Sequence, residues 1–126
     1  MKRKISKFFF LAGLLIIWQR AACEIVPATK AAQFAGTTQT VRGLVVSTKY
    51  AAGSKGKPTF LNLEKPYPEQ IFTVVIWGQD RPKFEKPPEQ LYRGKVIRVT
   101  GVIKVYQNVP EIEVSSPQQI EIELNP

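Results

Sequence analysis

The 126-residue chain carries 18 Lys and Arg against 10 Asp and Glu, a net charge of +8, with no histidine and one cysteine. That inventory excludes an internal disulfide, the usual zinc ligand sets and the common nucleophile and base pairs of hydrolases. The length accommodates one small domain with a single core and makes a second unexpected.

Residues 1–23 read as a targeting segment. Lys2, Arg3, Lys4 and Lys7 form a positive start, Phe8 to Trp18 is an apolar run, and Ala21-Ala22-Cys23 supplies small residues after it. A retained membrane anchor is the alternative, but the run is well short of the roughly 20 residues needed to span a bilayer. Export with cleavage is the expectation. Ala21 and Ala22 suit the positions before the acylated cysteine of a bacterial lipoprotein, whereas Arg20 stands where such signals have Leu or another small apolar residue. Two fates therefore stay open for Cys23: lipidation, which would tether the protein to a membrane, or a cut near Ala22 to Ala28 that releases it. The expected location is periplasmic or membrane-anchored as a lipoprotein.

Without Lys2, Arg3, Lys4, Lys7 and Arg20, 13 basic residues face 10 acidic ones. All 13 lie between Lys30 and Lys104, while Glu111, Glu113, Glu121 and Glu123 make the C-terminal end negative. This asymmetry predicts a domain with a positive side and a negative end.

In chain order, residues 24–38 form an extension. Ala28 to Ala35 has good helix formers and stops at Gly36, which predicts one or two helical turns with Ala31, Phe34 and Ala35 on the packing side. Five short β-runs follow: Thr40–Thr48, Thr59–Leu63, Ile71–Trp77, Lys95–Lys104 and Glu111–Val114. Alternation assigns Leu61, Leu63, Phe72, Val74, Ile76, Ile97, Val99, Ile103, Ile112 and Val114 to the core. Gly43 and Gly101, inside strands, fit the sharp coiling of a small barrel. The Pro-rich connector Gly78 to Gly94 argues against a regular helix. A turn from Pro88 to Tyr92, ended by Gly94, would cover the barrel bottom with Phe84, Leu91 and Tyr92. The barrel is expected over residues 39–116. A tail, 117–126, carries one more edge strand at Gln119 to Leu124.

Three strands, a long crossing and two more strands, with Val41-Arg-Gly-Leu-Val-Val, Thr59-Phe-Leu-Asn-Leu, Val74-Val-Ile-Trp and Gly94-Lys-Val-Ile-Arg-Val-Thr-Gly101, resemble the anticodon-binding type of OB-fold nucleic-acid-binding module. The resemblance implies an all-β, five-stranded Greek-key barrel that binds nucleic acid on its second and third strands and the flanking loops. Secreted thermonucleases share this barrel and use carboxylates and arginines around calcium. No matching cluster stands here, Asp80 being the only aspartate, so no enzyme activity, metal or cofactor is expected.

Single strands are held by a positive groove along their phosphates and by aromatic faces under their bases. In the elements where the resemblance puts the ligand, Arg42, Lys49, Lys55, Lys57, Arg98 and Lys104 supply charge. Phe60, Trp77 and Tyr106 supply rings, and Asn62 a hydrogen bond. Phe60 and Trp77 fall on the outward parity of their strands, against an equal expectation that they fill the core. Gly53 and Gly56 lack the spacing of a phosphate-binding loop. The expected partner is single-stranded nucleic acid, DNA in the first place, bound with low sequence selectivity. The alternative is an envelope domain that recognises a protein, a glycan or a small ligand.

Overall fold

The computed structural model describes residues 24–126, so the targeting segment and the lipidation expected at Cys23 lie outside the described residues. Seven strands form one sheet: β1 (Ile25–Pro27), β2 (Thr38–Tyr50), β3 (Thr59–Leu63), β4 (Phe72–Ile76), β5 (Val96–Tyr106), β6 (Val109–Glu113) and β7 (Ile120–Ile122). The order is β1-β2-β3-β4-β6-β5-β7, and β2 also pairs with β5. That extra pairing closes β2, β3, β4, β6 and β5 into a ring of five, with β4 and β6 parallel and the other ring pairs antiparallel. This is the OB barrel implied by the resemblance. β1 and β7 extend it, β1 running parallel to β2 and β7 antiparallel to β5.

β2 can belong to both halves of the ring because it bends. Its first half pairs with β5 and its second with β3, with a register shift between Val45 and Ser47. Gly43 precedes that shift, and a Cβ there would lie 2.8 Å from Leu63 Cδ2. The bare backbone thus lets the core close over the bend. Strand alternation fills the interior with Val41, Leu61, Phe72, Val74, Ile97 and Ile112, each fully buried. Each such side chain contributes about 1.5–3 kcal/mol relative to exposure.

The connector covers one part of the barrel with a 3-10 turn, Gly78–Lys83, and one helical turn, α1 (Pro88–Leu91). Phe84 and Tyr92 are buried there edge to face, with centroids 6.2 Å apart, and the partly buried Leu91 packs against the core. Gly94, at φ +77°, ends the turn where a side chain would be strained. Arg81 fastens the connector to the strands. Its guanidinium lies 3.5 Å over the Tyr50 ring and donates to Thr59 Oγ1 and to Glu89 Oε1 at 2.9 and 2.6 Å.

The N-terminal segment differs from expectation. Ala28–Phe34 is a 3-10 helix that buries Ala28 and Ala31, while Phe34 and Ala35 stay exposed. In a 3-10 helix residues three apart line up, so Ala28 and Ala31 share the inner side, and the row ends there: Phe34, the last helical residue, is exposed.

Candidate nucleic-acid interface

The shift in β2 also sets which of its side chains point outward. Before it Arg42 and Leu44 do, and after it Ser47 and Lys49. Following the register around the ring from Ser47 gives a row of cross-strand neighbours: Ser47, Asn62, Thr73, Glu111 and Lys104. From Lys49 a parallel row runs through Phe60, Val75 and Glu113. The first row is polar, and the second sets an aromatic and a valine between opposite charges.

Ser47, Asn62, Thr73 and Glu111 of the first row and Lys49 and Phe60 of the second floor a groove of about 600 Å³, walled by Ala51 and Ser54 of loop 51–58, by Tyr67 and by the β5–β6 turn. That turn is tight, with Gln107 and Asn108 both at positive φ, and it carries Tyr106, 62% exposed, at its base. A second hollow of about 280 Å³ adjoins it, lined by Val75, Trp77, Lys104 and Glu113. Phe60, Tyr106 and Glu111 border both.

Asn62 lies in the floor with 3% of its surface exposed. Its Nδ2 donates to Ser47 Oγ at 3.0 Å, and Gln70 Nε2 donates to Thr73 Oγ1 at 3.3 Å. The carbonyl oxygens of both amides are buried and have no partner. An unsatisfied buried acceptor costs about 1–3 kcal/mol. Burial, assisted by the neighbouring Glu113 carboxylate and partly opposed by Lys104, pushes the Glu111 carboxyl above its ordinary value.

The expected site residues divide between two sides of the barrel. Lys49, Phe60, Asn62 and Tyr106 meet in the groove, and Trp77, Lys104 and again Phe60 and Tyr106 in the hollow beside it. Phe60 and Trp77 are half-buried. Trp77 supports the loop: a Cβ on Gly56 would come within 2.9 Å of its ring, and Gly78 N donates to Gly56 O at 2.9 Å. Lys55 and Lys57 are exposed on that same loop, beyond the groove lining. Lys104 pairs with Glu113 at 3.0 Å.

Arg42 and Arg98 stand on the other side, as cross-strand neighbours on β2 and β5, and both bond Glu123. Two like charges directly opposite would repel, and the carboxylate between them relieves this. Tyr67, Gln70 and Glu111 belong to the groove and were not among the sequence candidates. Outward parity on β6 marks Glu111, while Tyr67 and Gln70 sit in a loop with no periodic signal. Among the described residues no cluster of three His, Cys, Asp or Glu side chains suits a metal ion, and no helix is long and apolar enough to cross a membrane.

Residues 39–122 match the family model described as an OB-fold nucleic acid binding domain. The chain belongs to that family. Among solved structures this OB-fold domain is similar to asparaginyl-tRNA synthetase from Entamoeba histolytica, with 17% identity and a TM-score of 0.50 over 80% of the chain and 24% of that protein. It is also similar to asparaginyl-tRNA synthetase from Pyrococcus horikoshii, with 16% identity and a TM-score of 0.46 over 71% of the chain and 20% of that protein. The OB-fold domain thus spans about a quarter or less of these enzymes' length. No curated protein sequence matches it significantly.

Proposed function

We propose that the protein is an exported module that binds a short stretch of single-stranded nucleic acid, DNA in the first place, along the groove over β3 and β4. The observation that carries this reading is the pair of rings, Phe60 and Tyr106, bordering both hollows beside a loop rich in lysine. Stacking on such rings contributes about 1–3 kcal/mol per base and tolerates any base. Lys49, Lys55 and Lys57 lie on one side and Glu111 and Glu113 on the other, which orients the ligand. Phosphates run along the loop, away from the carboxylates, and bases extend across Phe60 toward β6. Stacking and phosphate contacts alone give low sequence selectivity over most of the strand.

Export rests on the basic and apolar pattern of residues 1–23, and Cys23 is the candidate for a lipid tether. Mass measurement of the protein from membranes tests that point. Binding is tested with the chain starting at Glu24, which contains the whole barrel and its core. Fluorescence anisotropy of labelled single-stranded DNA and RNA at rising salt should give saturable binding that weakens steeply, as counterion release requires. No binding at low salt, or binding indifferent to salt, would turn the reading to a protein, a glycan or a small ligand.

A further inference from the structure

The chain has four tyrosines, and the fold itself uses two of them: Tyr50 lies under the Arg81 guanidinium, and Tyr92 is buried against Phe84. The other two, Tyr67 in loop 64–71 and Tyr106 at the end of β5, are 73% and 62% exposed, and both line the groove. Building on the nucleic-acid reading above, we propose that Tyr67 is a further stacking residue, so that the groove clamps a single strand between a tyrosine at each end.

The backbone under Tyr67 is held. Pro66 and Pro68 flank it, and each fixes a dihedral of its own. The Tyr67 N–H donates to Ser47 Oγ at 3.3 Å, and the same oxygen accepts from the buried Asn62 Nδ2 at 3.0 Å. Backbone bonds close the loop around this point: Glu64 N donates to Leu44 O at 2.9 Å, Glu69 N to Pro66 O at 2.8 Å and Ile71 N to Leu63 O at 3.2 Å. Asn62 therefore acts through Ser47 to fasten the loop, and the loop presents an exposed ring on a fixed base. Ordering such a segment in advance lowers the entropy that binding costs. Ser47 opens the polar row at the end where Tyr67 is anchored; Glu111 and Lys104 finish it, and Tyr106 follows Lys104 two residues later on β5. Three strand spacings separate Ser47 from Glu111, about 14 Å around the sheet at about 4.8 Å each. One base does not bridge that span, so the tyrosines take different nucleotides of the same strand. Phe60, on β3, stands between those ends in strand order.

The test uses the chain starting at Glu24 and a labelled oligothymidine of about nine nucleotides, within an OB domain's usual site size. Tyr67→Ala should weaken binding about tenfold, the scale of one stacked base, while Tyr67→Phe keeps the ring and should stay within about twofold of the parent. The exposed side chain leaves the core untouched, so both variants should melt with the parent. Rings that take different nucleotides act independently, and the double variant Tyr67→Ala, Tyr106→Ala should lose the product of the two single losses. Ser47→Ala should weaken binding in the parent and add nothing in the Tyr67→Ala background, which marks Ser47 as a positioning residue. Parent-like affinity in Tyr67→Ala overturns the clamp and leaves the nucleic-acid reading standing. So does an equal loss in Tyr67→Phe and Tyr67→Ala. Failure of the parent to bind any oligomer overturns both.

Discussion

Arg42 and Glu123 lie 81 residues apart in the chain and meet through two parallel hydrogen bonds, Nε to Oε2 at 2.8 Å and Nη2 to Oε1 at 2.7 Å. The same carboxylate accepts from Arg98 Nε at 3.1 Å, so one acid from beyond β7 fastens the C-terminal segment to β2 and β5. Forked pairing of this kind fixes geometry as well as charge.

The pH dependence of stability follows from that junction. The hydrogen bond from Arg42, with a further one from Arg98 and the charge of both, holds the Glu123 carboxyl down at about 2. A folded-state value below the unfolded one makes the contribution whole above about pH 4.5 and lost as the pH falls toward the folded value. Glu123→Gln should therefore melt at a lower temperature than the parent near neutral pH, and the gap should narrow as the pH drops from about 4.5 to about 2.5. Melting curves at several pH values read this directly; a gap that stays constant over that interval would refute it.

Gly101 makes a sharper demand. A Cβ there would sit 2.6 Å from Cγ2 of Ile112, a fully buried residue on the neighbouring strand. That methyl belongs to a β-branched side chain with little rotamer freedom, so the overlap has to be relieved by the backbone. Gly101→Ala should lower unfolding free energy by about 1–3 kcal/mol, the usual penalty for overpacking. Urea denaturation followed by Trp77 fluorescence measures it in the chain from Glu24, where Trp77 is the only tryptophan.

The barrel was legible in the sequence because one face of each strand is buried, which writes a period of two into Leu61 and Leu63, into Phe72, Val74 and Ile76, and into Ile97, Val99 and Ile103. β1 left no such mark. It is three residues long, includes Pro27, and exists through its pairing with β2. The site was legible only in part, because parity distinguishes inside from outside and says nothing about position around a closed barrel. Arg42 and Lys49 both point outward from β2, yet the shift between Val45 and Ser47 sends them to opposite sides. Asn62 read as an outward residue and is nonetheless buried, since loop 64–71 folds over it with Tyr67 N donating to Ser47 Oγ at 3.3 Å. A contact made by a loop without periodicity has no local signature.

The division of charged and aromatic residues between the two sides gives a paired expectation. Phe60→Ala and Tyr106→Ala should each weaken oligonucleotide binding by about 1–3 kcal/mol, whereas Arg42→Ala should leave affinity and its salt dependence unchanged. Tyr106 is 62% exposed, so its variant should keep the parent melting temperature and isolate the stacking effect. Anisotropy titrations of the three variants at one salt concentration decide the matter, and equal losses from Arg42→Ala and Tyr106→Ala would place the ligand elsewhere.

Glu111 links binding to pH because it borders the same two hollows as Phe60 and Tyr106. Burial and the nearby Glu113 already disfavour its charged form, and Lys104 compensates only in part. A polyanion laid along the groove adds a further cost to that charge, so binding should be accompanied by proton uptake. Affinity for single strands should then rise as the pH falls from neutral toward the ordinary carboxylate range, because the raised carboxyl takes up its proton there more readily in the complex than in the free protein. Glu111→Gln should bind more tightly than the parent at neutral pH and show a flatter profile. Stability supplies an internal check with a defined sign. A folded value above the unfolded one makes the contribution of Glu111 to stability greatest below the unfolded value and smaller as the pH rises through the folded one, the reverse of Glu123. If Glu111→Gln retains the parent's full pH slope in binding, the protons come from another group.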